Sequence, residues 1–223
     1  MGTLYIVGTP IGNLKDITFR ALEVLKDADL VLAEDTRVTK KLFSHFNIHK
    51  LVKRYDENIG QAIYSEVKER LQKGQNIALV TDAGTPSISD PGSRLVAFIR
   101  QELPDVKIMP IPGPSALTAA LSVAGVNADQ FTFLGYPPHK KGRQKFFKEL
   151  KDTEIRPIVL YESPHRIVKT LDNLAEVFGR NYKIVVCREL TKVYEEIFTG
   201  TVENVLEHFK GERQKGEFVL IIL

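Results

Sequence analysis

Cysteine is almost missing from this chain: Cys187 is the only one in 223 residues. No internal disulfide can form, and a metal site built on several thiolates is excluded. Long apolar runs are missing as well. The longest clean one, Phe218 to Leu223, falls far short of the roughly 20 residues a membrane helix needs. The amino terminus lacks a basic-then-apolar signal pattern, since Met1 to Val7 runs straight into a glycine turn. Repeats and low-complexity segments are absent. So are G-x-G-x-x-G, G-x-x-x-x-G-K-[ST], G-x-S-x-G and H-E-x-x-H, which argues against NAD or ATP held in the usual way. His45 and His49 stand at helical i, i+4 spacing, but no third ligand accompanies them, and they read as surface histidines. The expectation from these absences is a cytoplasmic protein with no membrane segment and no metal.

What is present is a core and a lopsided charge. The chain is 43% hydrophobic, ample for one or two α/β domains. Net charge is only +3, yet Lys140, Lys141, Arg143, Lys145, Lys148 and Lys151 crowd into one segment against the single acid Glu149. That segment carries +5 and the remainder −2. Cations at the start of a helix oppose its macrodipole, so a solvated face is a poor explanation. Clustered Lys and Arg beside Tyr136 and two prolines suit contact with a phosphate backbone.

Apolar strand-like runs alternate with helix-period segments through the first half. The strands are expected at Leu4–Gly8, Leu30–Ala33, Leu51–Arg54, Asn76–Thr81 and Val106–Pro110, with helices over Thr18–Lys26, Arg37–Phe46, Ile59–Lys73 and Pro91–Glu102. This rhythm predicts a mostly parallel sheet with helices on both faces. Asn58 and Asp90 are expected helix N-caps, the latter with Pro91 at the first helical position. Beyond the Pro112–Pro114 hinge the order changes. A helix over Ser115–Ala124 leads to Phe131–Leu134, the basic helix, Ile158–Tyr161, a helix over Pro164–Phe178, Ile184–Arg188, a helix over Val202–Phe209 and a last strand, Phe218–Leu223. Two α/β domains are expected, 1–112 and 113–223, with a cleft between them.

Three loops rich in glycine and proline follow strand-like runs: Gly8-Thr9-Pro10-Ile11-Gly12-Asn13, Asp82 to Gly92 (with Gly84, Thr85 and Ile88), and Pro112-Gly113-Pro114-Ser115-Ala116. Rigid loops at the carboxyl ends of strands are where α/β sheets bind small ligands, so one ligand held largely by main-chain groups is expected. Glu34-Asp35-Thr36-Arg37 closes the second strand and reads equally as a capped helix start or as a site wall. In Tyr161-Glu162-Ser163-Pro164-His165-Arg166, Ser163 as N-cap before Pro164 explains two residues; Glu162, His165 and Arg166 are left for function.

Together these segments, with Cys187-Arg188-Glu189-Leu190-Thr191-Lys192 and Lys215-Gly216-Glu217-Phe218, resemble the ribosomal RNA small subunit methyltransferase I family. It is a branch of the tetrapyrrole methylase superfamily, beside cobalamin-precursor methylases and diphthine synthase. The resemblance runs over essentially the whole chain. It implies the two-domain, non-Rossmann class III methyltransferase fold, with a mostly parallel amino-terminal sheet and a mixed carboxyl-terminal one. It implies a homodimer that binds S-adenosylmethionine between its domains and methylates a cytidine ribose 2′-hydroxyl in the decoding region of 16S ribosomal RNA. Carried over by position, cofactor contacts come from Pro10, Ile11, Thr85, Ile88, Ser115 and Ala116, with Asp82 and Gly84 in the same loops and Tyr161 and Arg188 completing the pocket. A ribose hydroxyl is a poor nucleophile and calls for a base; Glu162, His165, Glu34 and Asp35 are the candidates. Arg37, Arg166 and Arg188 are candidates to orient the substrate. The RNA is expected on Lys140, Lys141, Arg143 and Lys145, with Arg37 and Arg166. Two other readings stand beside this one: a tetrapyrrole methylase, which needs no basic segment, and a non-catalytic RNA-binding protein.

Overall fold

The apolar runs become strands, and the chain order decides where their helices lie. The computed structural model describes residues 1–56 and 61–223, which form two compact units, Met1–Ser115 and Ala116–Leu223. Among the described residues no helix is long and apolar enough to cross a membrane.

In the first unit, β1 (Thr3–Val7), β2 (Leu30–Ala33), β3 (Val52–Arg54), β4 (Ile77–Val80) and β5 (Lys107–Ile111) form one parallel sheet in the order β3-β2-β4-β1-β5. β2 and β4 are buried along their whole length, as their unbroken apolar sequences demand. Pro110, which cannot donate to a ladder, sits on the edge strand β5. The steps β1→β2→β3 run one way across the sheet, and β3→β4→β5 run back. Right-handed crossovers then place α1 (Phe19–Asp27) and α2 (Thr36–His45) on one face, and α3 (Gln61–Gln72) and α4 (Ser93–Glu102) on the other. The packing follows suit. Ala21, Leu25, Leu42 and Phe43 meet Val7, Val31 and Ala78, while Val67, Leu71, Leu95 and Ile99 meet Leu4, Leu32 and Leu79.

Thr18 Oγ1 accepts from the Ala21 amide at 3.1 Å and caps α1, an arrangement worth about 1 kcal/mol. Asp35 caps α2. The Asp90–Pro91 start expected for α4 is not what the chain adopts. Pro91 O accepts from the Ser87 amide at 3.3 Å, closing a turn, and the helix begins at Ser93 behind Gly92, whose φ is 144°. Asn58 and the expected helix start at Ile59 lie outside the described residues.

The second unit holds β6 (Thr132–Phe133), β7 (Ile158–Glu162), β8 (Lys183–Arg188), β9 (Glu196–Thr201) and β10 (Phe218–Ile222), in the order β6-β7-β10-β8-β9. Only β6 and β7 pair in parallel. Ile158, Leu160, Ile184, Val186, Leu220 and Ile222 face α6 (Arg143–Lys151), α7 (Ile167–Phe178) and α8 (Val202–His208). On the other side of the sheet, α5 (Ala116–Val123) packs against β10. The fold class expected from the sequence is the one observed. Strand β9 was not foreseen, and α7 starts at Ile167 rather than at Pro164: Ser163 O accepts from the amides of Arg166 and Ile167, so Ser163 begins a turn instead of capping the helix.

Candidate active site

In the first unit, β1 and β4 are neighbours, yet the chain leaves β1 toward the α1 face and β4 toward the α4 face. Such a switch point opens a crevice at the carboxyl ends of the strands. The three loops meet there. Thr9 N donates to Gly84 O at 2.8 Å and Gly84 N to Thr9 O at 3.1 Å, tying the first loop to the second. Buried Thr9 strengthens the tie by donating from Oγ1 to Thr81 O at 3.1 Å. The third loop touches the first backbone to backbone: a Cβ on Gly113 would lie 2.8 Å from Gly8 O, and one on Gly8 would lie 2.9 Å from Gly113 Cα. Thr85 Oγ1 reaches Pro114 O at 3.5 Å. Pro10, Ile11 and Gly84 are buried in this junction, Thr85 and Ser115 are half-buried, and Asp82 and Ile88 are exposed.

The second loop carries local strain. Ser87 and Ser89 take φ of 72° and 62°, a region that residues other than glycine seldom adopt. Gly84, at φ 87°, leaves the space between Ile11 and Pro114 open. Ser87 Oγ is buried without a protein hydrogen-bond partner. The three segments 8–13, 81–92 and 112–115 contain no lysine or arginine. Carbonyls, hydroxyls and Asp82 beside Ile11 and Ile88 fit a ligand with an ammonium group, ribose hydroxyls and no phosphate. S-adenosylmethionine is such a ligand.

The same sheet edge gathers acids. Depressions of about 500 Å³, lined by Glu34 to Arg37 and Arg54, and about 460 Å³, lined by residues from Ser87 to Arg94, lie along it. Thr81 Oγ1 donates to Glu34 Oε2 at 2.8 Å, and the Asp35 amide donates to Asp82 Oδ1 at 3.0 Å. Partial desolvation of the carboxyl, with the charges of Glu34 and Asp35, pushes Asp82 up, although the residue as a whole stays open to solvent. Asp35 goes the other way: hydrogen bonds from the Arg37 guanidinium and amide hold its carboxyl at about 2. A carboxylate so depressed is a poor proton acceptor at neutral pH. Its cap is complete above the unfolded-state carboxyl range and is lost only as pH falls through about 2. Asp35→Asn, an equally good cap, is therefore expected to leave both limbs of the neutral pH–rate profile in place; loss of a limb would restore Asp35 as the base.

In the second unit, the alternation of β7 turns Glu162 toward the helices, where its side chain is fully buried. Arg166 Nη2 lies 2.8 Å from Oε1, Thr170 Oγ1 donates to Oε2 at 2.5 Å, and the Ser163 amide donates to Oε1 at 2.7 Å. Arg143 Nη1 is 4.0 Å away. Three site expectations change here. Glu162 has no open lone pair facing solvent and holds two guanidiniums, so it is a structural anion and not a base. Arg143 is 4% exposed and donates to Thr170, Asn173 and Pro138 O, so it does not join the exposed cations. Burial lowers its pKa, against the charge of Glu162. Arg166 is committed to Glu162, Ser163 and Pro137 O. The exposed set is Lys140, Lys141, Lys145, Lys148 and Lys151.

His165 stands exposed on the turn after β7, and Arg37 is exposed at the start of α2. Tyr161 OH accepts from the Leu117 amide at 3.1 Å, capping α5 just after Ala116. Arg188 differs from expectation. Its guanidinium donates to Lys215 O at 2.6 Å and Tyr194 O at 3.4 Å and pairs with Glu196, which makes it a brace for the loop after β8. The buried threonines Thr9, Thr81 and Thr170 escaped sequence reasoning, because nothing in sequence separates a threonine that joins two loops from an ordinary strand or helix residue.

Known proteins share both the sequence and the architecture. The family model of tetrapyrrole (corrin/porphyrin) methylases matches residues 3–206. A protein of Halalkalibacterium halodurans named ribosomal RNA small subunit methyltransferase I is 45% identical over 99% of this chain and 75% of its own. A Thermotoga maritima protein of the same name is 42% identical over 100% of this chain and 98% of its own. Among solved structures, a cobalamin biosynthetic enzyme, cobalt precorrin-4 methyltransferase, superposes with a TM-score of 0.73 at 20% identity, covering 98% of this chain and 94% of that one. At that identity the likeness speaks for the fold. Methyltransferases of this fold use S-adenosylmethionine. The chain belongs to the tetrapyrrole methylase family.

Proposed function

We propose that the protein transfers a methyl group from S-adenosylmethionine to a cytidine ribose 2′-hydroxyl in the decoding region of 16S ribosomal RNA. The observation that carries this reading is the likeness, at 42–45% identity across the whole chain, to proteins named for ribosomal RNA. Pro10, Ile11, Asp82, Gly84, Thr85, Ile88 and Ser115 hold the cofactor, which supplies an electrophilic methyl group. Ile11 and Ile88 offer apolar surface, while Asp82 and the loop carbonyls accept from its hydroxyl and ammonium groups. Ala116 continues the third loop, and Tyr161 fixes the helix that follows it. Holding the hydroxyl in line with the methyl carbon supplies much of the rate. Glu34 and His165 are the groups left to take its proton. The assembly is a homodimer working on ribosomal subunits in the cytoplasm.

The exposed lysines of the Lys140–Lys151 segment grip the RNA backbone. Changing Lys140, Lys141, Lys145 and Lys148 together to alanine is expected to weaken binding of small subunits. The slope of log K against log salt should shrink by about 0.7 for each lysine that held a phosphate. An unaltered slope would make the segment an ordinary solvated face. Arg143→Ala is expected to act on stability instead, since that side chain is interior.

The overall test is incubation with methyl-labelled S-adenosylmethionine and, in parallel, unmodified small ribosomal subunits and a uroporphyrinoid. Label in RNA supports the proposal. Label only in the porphyrinoid would give the protein a tetrapyrrole substrate, the class for which its family model is named.

A further inference from the structure

Three charged side chains lie behind one short loop. The Glu162 side chain is fully buried, Arg143 keeps 5% of its side-chain surface and Arg166 18%. Burying such a group costs more than packing apolar residues in the same volume commonly would. What the group does here is fix a backbone. Arg166 Nη1 donates to Pro137 O at 2.9 Å, and Arg143 Nη1 donates to Pro138 O at 3.1 Å. On the near side, the Tyr161 amide donates to Gly135 O at 2.9 Å, with Gly135 at φ 61°.

Tyr136 stands between these anchored carbonyls. Its ring meets Tyr161 edge-on with centroids 5.6 Å apart, and the Arg166 guanidinium carbon lies 5.8 Å from its centroid. Yet it remains 48% exposed. The exposed His139, Lys140 and Lys141 follow after only Pro137 and Pro138, the two residues whose carbonyls are anchored. A rigid aromatic beside clustered cations is the combination by which proteins hold single-stranded RNA: cations take the phosphates and the ring takes a base face. Because the ring is already fixed, little conformational freedom is lost when a base settles on it.

We propose that Tyr136 is a stacking platform for an unpaired nucleobase of the RNA, with Glu162, Arg166 and Arg143 as the positioning residues that hold it. This rests on the RNA reading above. It assigns a base contact where that reading assigned only phosphate contacts.

The chain contains no tryptophan, so Tyr136→Trp places a single fluorescent indole on the platform. Titration with a short single-stranded RNA oligonucleotide is expected to quench that fluorescence. Tyr136→Phe should keep wild-type affinity, and Tyr136→Leu should lose roughly five- to hundredfold. The salt slope of Tyr136→Leu should match wild type, because no cation is removed. A variant that merely loosened the loop would show an early thermal transition; should Tyr136→Leu do so, the quench and the phenylalanine variant decide. RNA binding without a quench, or wild-type affinity in Tyr136→Leu, overturns the platform and leaves the RNA reading intact. If Tyr136→Leu weakens binding to whole small subunits but not to the oligonucleotide, the ring faces a ribosomal protein and the proposal fails. If the wild-type protein binds neither, the RNA reading falls and takes the platform with it.

Discussion

Glu162→Ala will lower the stability of the protein by about 3–5 kcal/mol, the loss usual when one partner of a buried ion pair is removed. The cause is what stays behind. Arg166 and Arg143 would sit in the interior with no anion, and Thr170 would keep its bond to Arg143 but lose its acceptor. Two neutral variants sharpen the reading. Glu162→Gln keeps the shape and one acceptor oxygen, so it should fall between wild type and Glu162→Ala in denaturant midpoint. Thr170→Val removes only the hydroxyl link and should cost about 1–3 kcal/mol for the groups left unpaired. Denaturant unfolding of all three against wild type checks the order. A Glu162 variant as stable as wild type but unable to transfer methyl in a single turnover would return this carboxylate to the role of base.

Gly113→Ala is the second large effect. The added methyl would sit 2.8 Å from Gly8 O and 3.0 Å from Gly8 Cα. Both are backbone atoms, so no side-chain rotation relieves the contact and one loop must move. Over-packing of this kind costs about 1–3 kcal/mol. If the cofactor lies on these loops, separating them should also weaken S-adenosylmethionine binding by about tenfold or more, one decade for each 1.4 kcal/mol. Calorimetry and thermal unfolding on the same samples distinguish the two effects. Gly125→Ala is a control for a glycine with positive φ and open space, and should leave cofactor affinity at its wild-type value. Unchanged affinity in Gly113→Ala would remove the third loop from the cofactor site.

The crevice was legible because its signals are local. Apolar runs ending in Gly8, Asp82 and Pro112 mark strand ends whatever the sheet order. The sheet order was not legible, and it is the order that makes β1 and β4 neighbours and brings Thr9 onto Gly84. Arg143 shows how charge counting misleads. It was grouped with the lysines around it, yet Arg143, Phe147 and Leu150 share i, i+4, i+7 spacing, and all three line the buried stripe of α6. Periodicity carried the signal and charge concealed it. Glu162 was legible as unusual, but its partners Arg143 and Thr170 come from two different helices, which sequence alone does not bring together. Strand β9 escaped because Glu196–Thr201 is a polar-rich edge with no apolar run. The helix start at Asp90–Pro91 failed because a turn between Ser87 and Pro91 was closed before the helix could begin.

The central claim is chemical: a methyl group placed on one ribose hydroxyl of small-subunit RNA. Its most direct test is nuclease digestion of the RNA labelled by this protein, followed by identification of the modified nucleoside and its position. The account expects 2′-O-methylcytidine at a single site in the decoding region. Label on a base, label scattered along the RNA, or no label from a protein that still binds S-adenosylmethionine would contradict it.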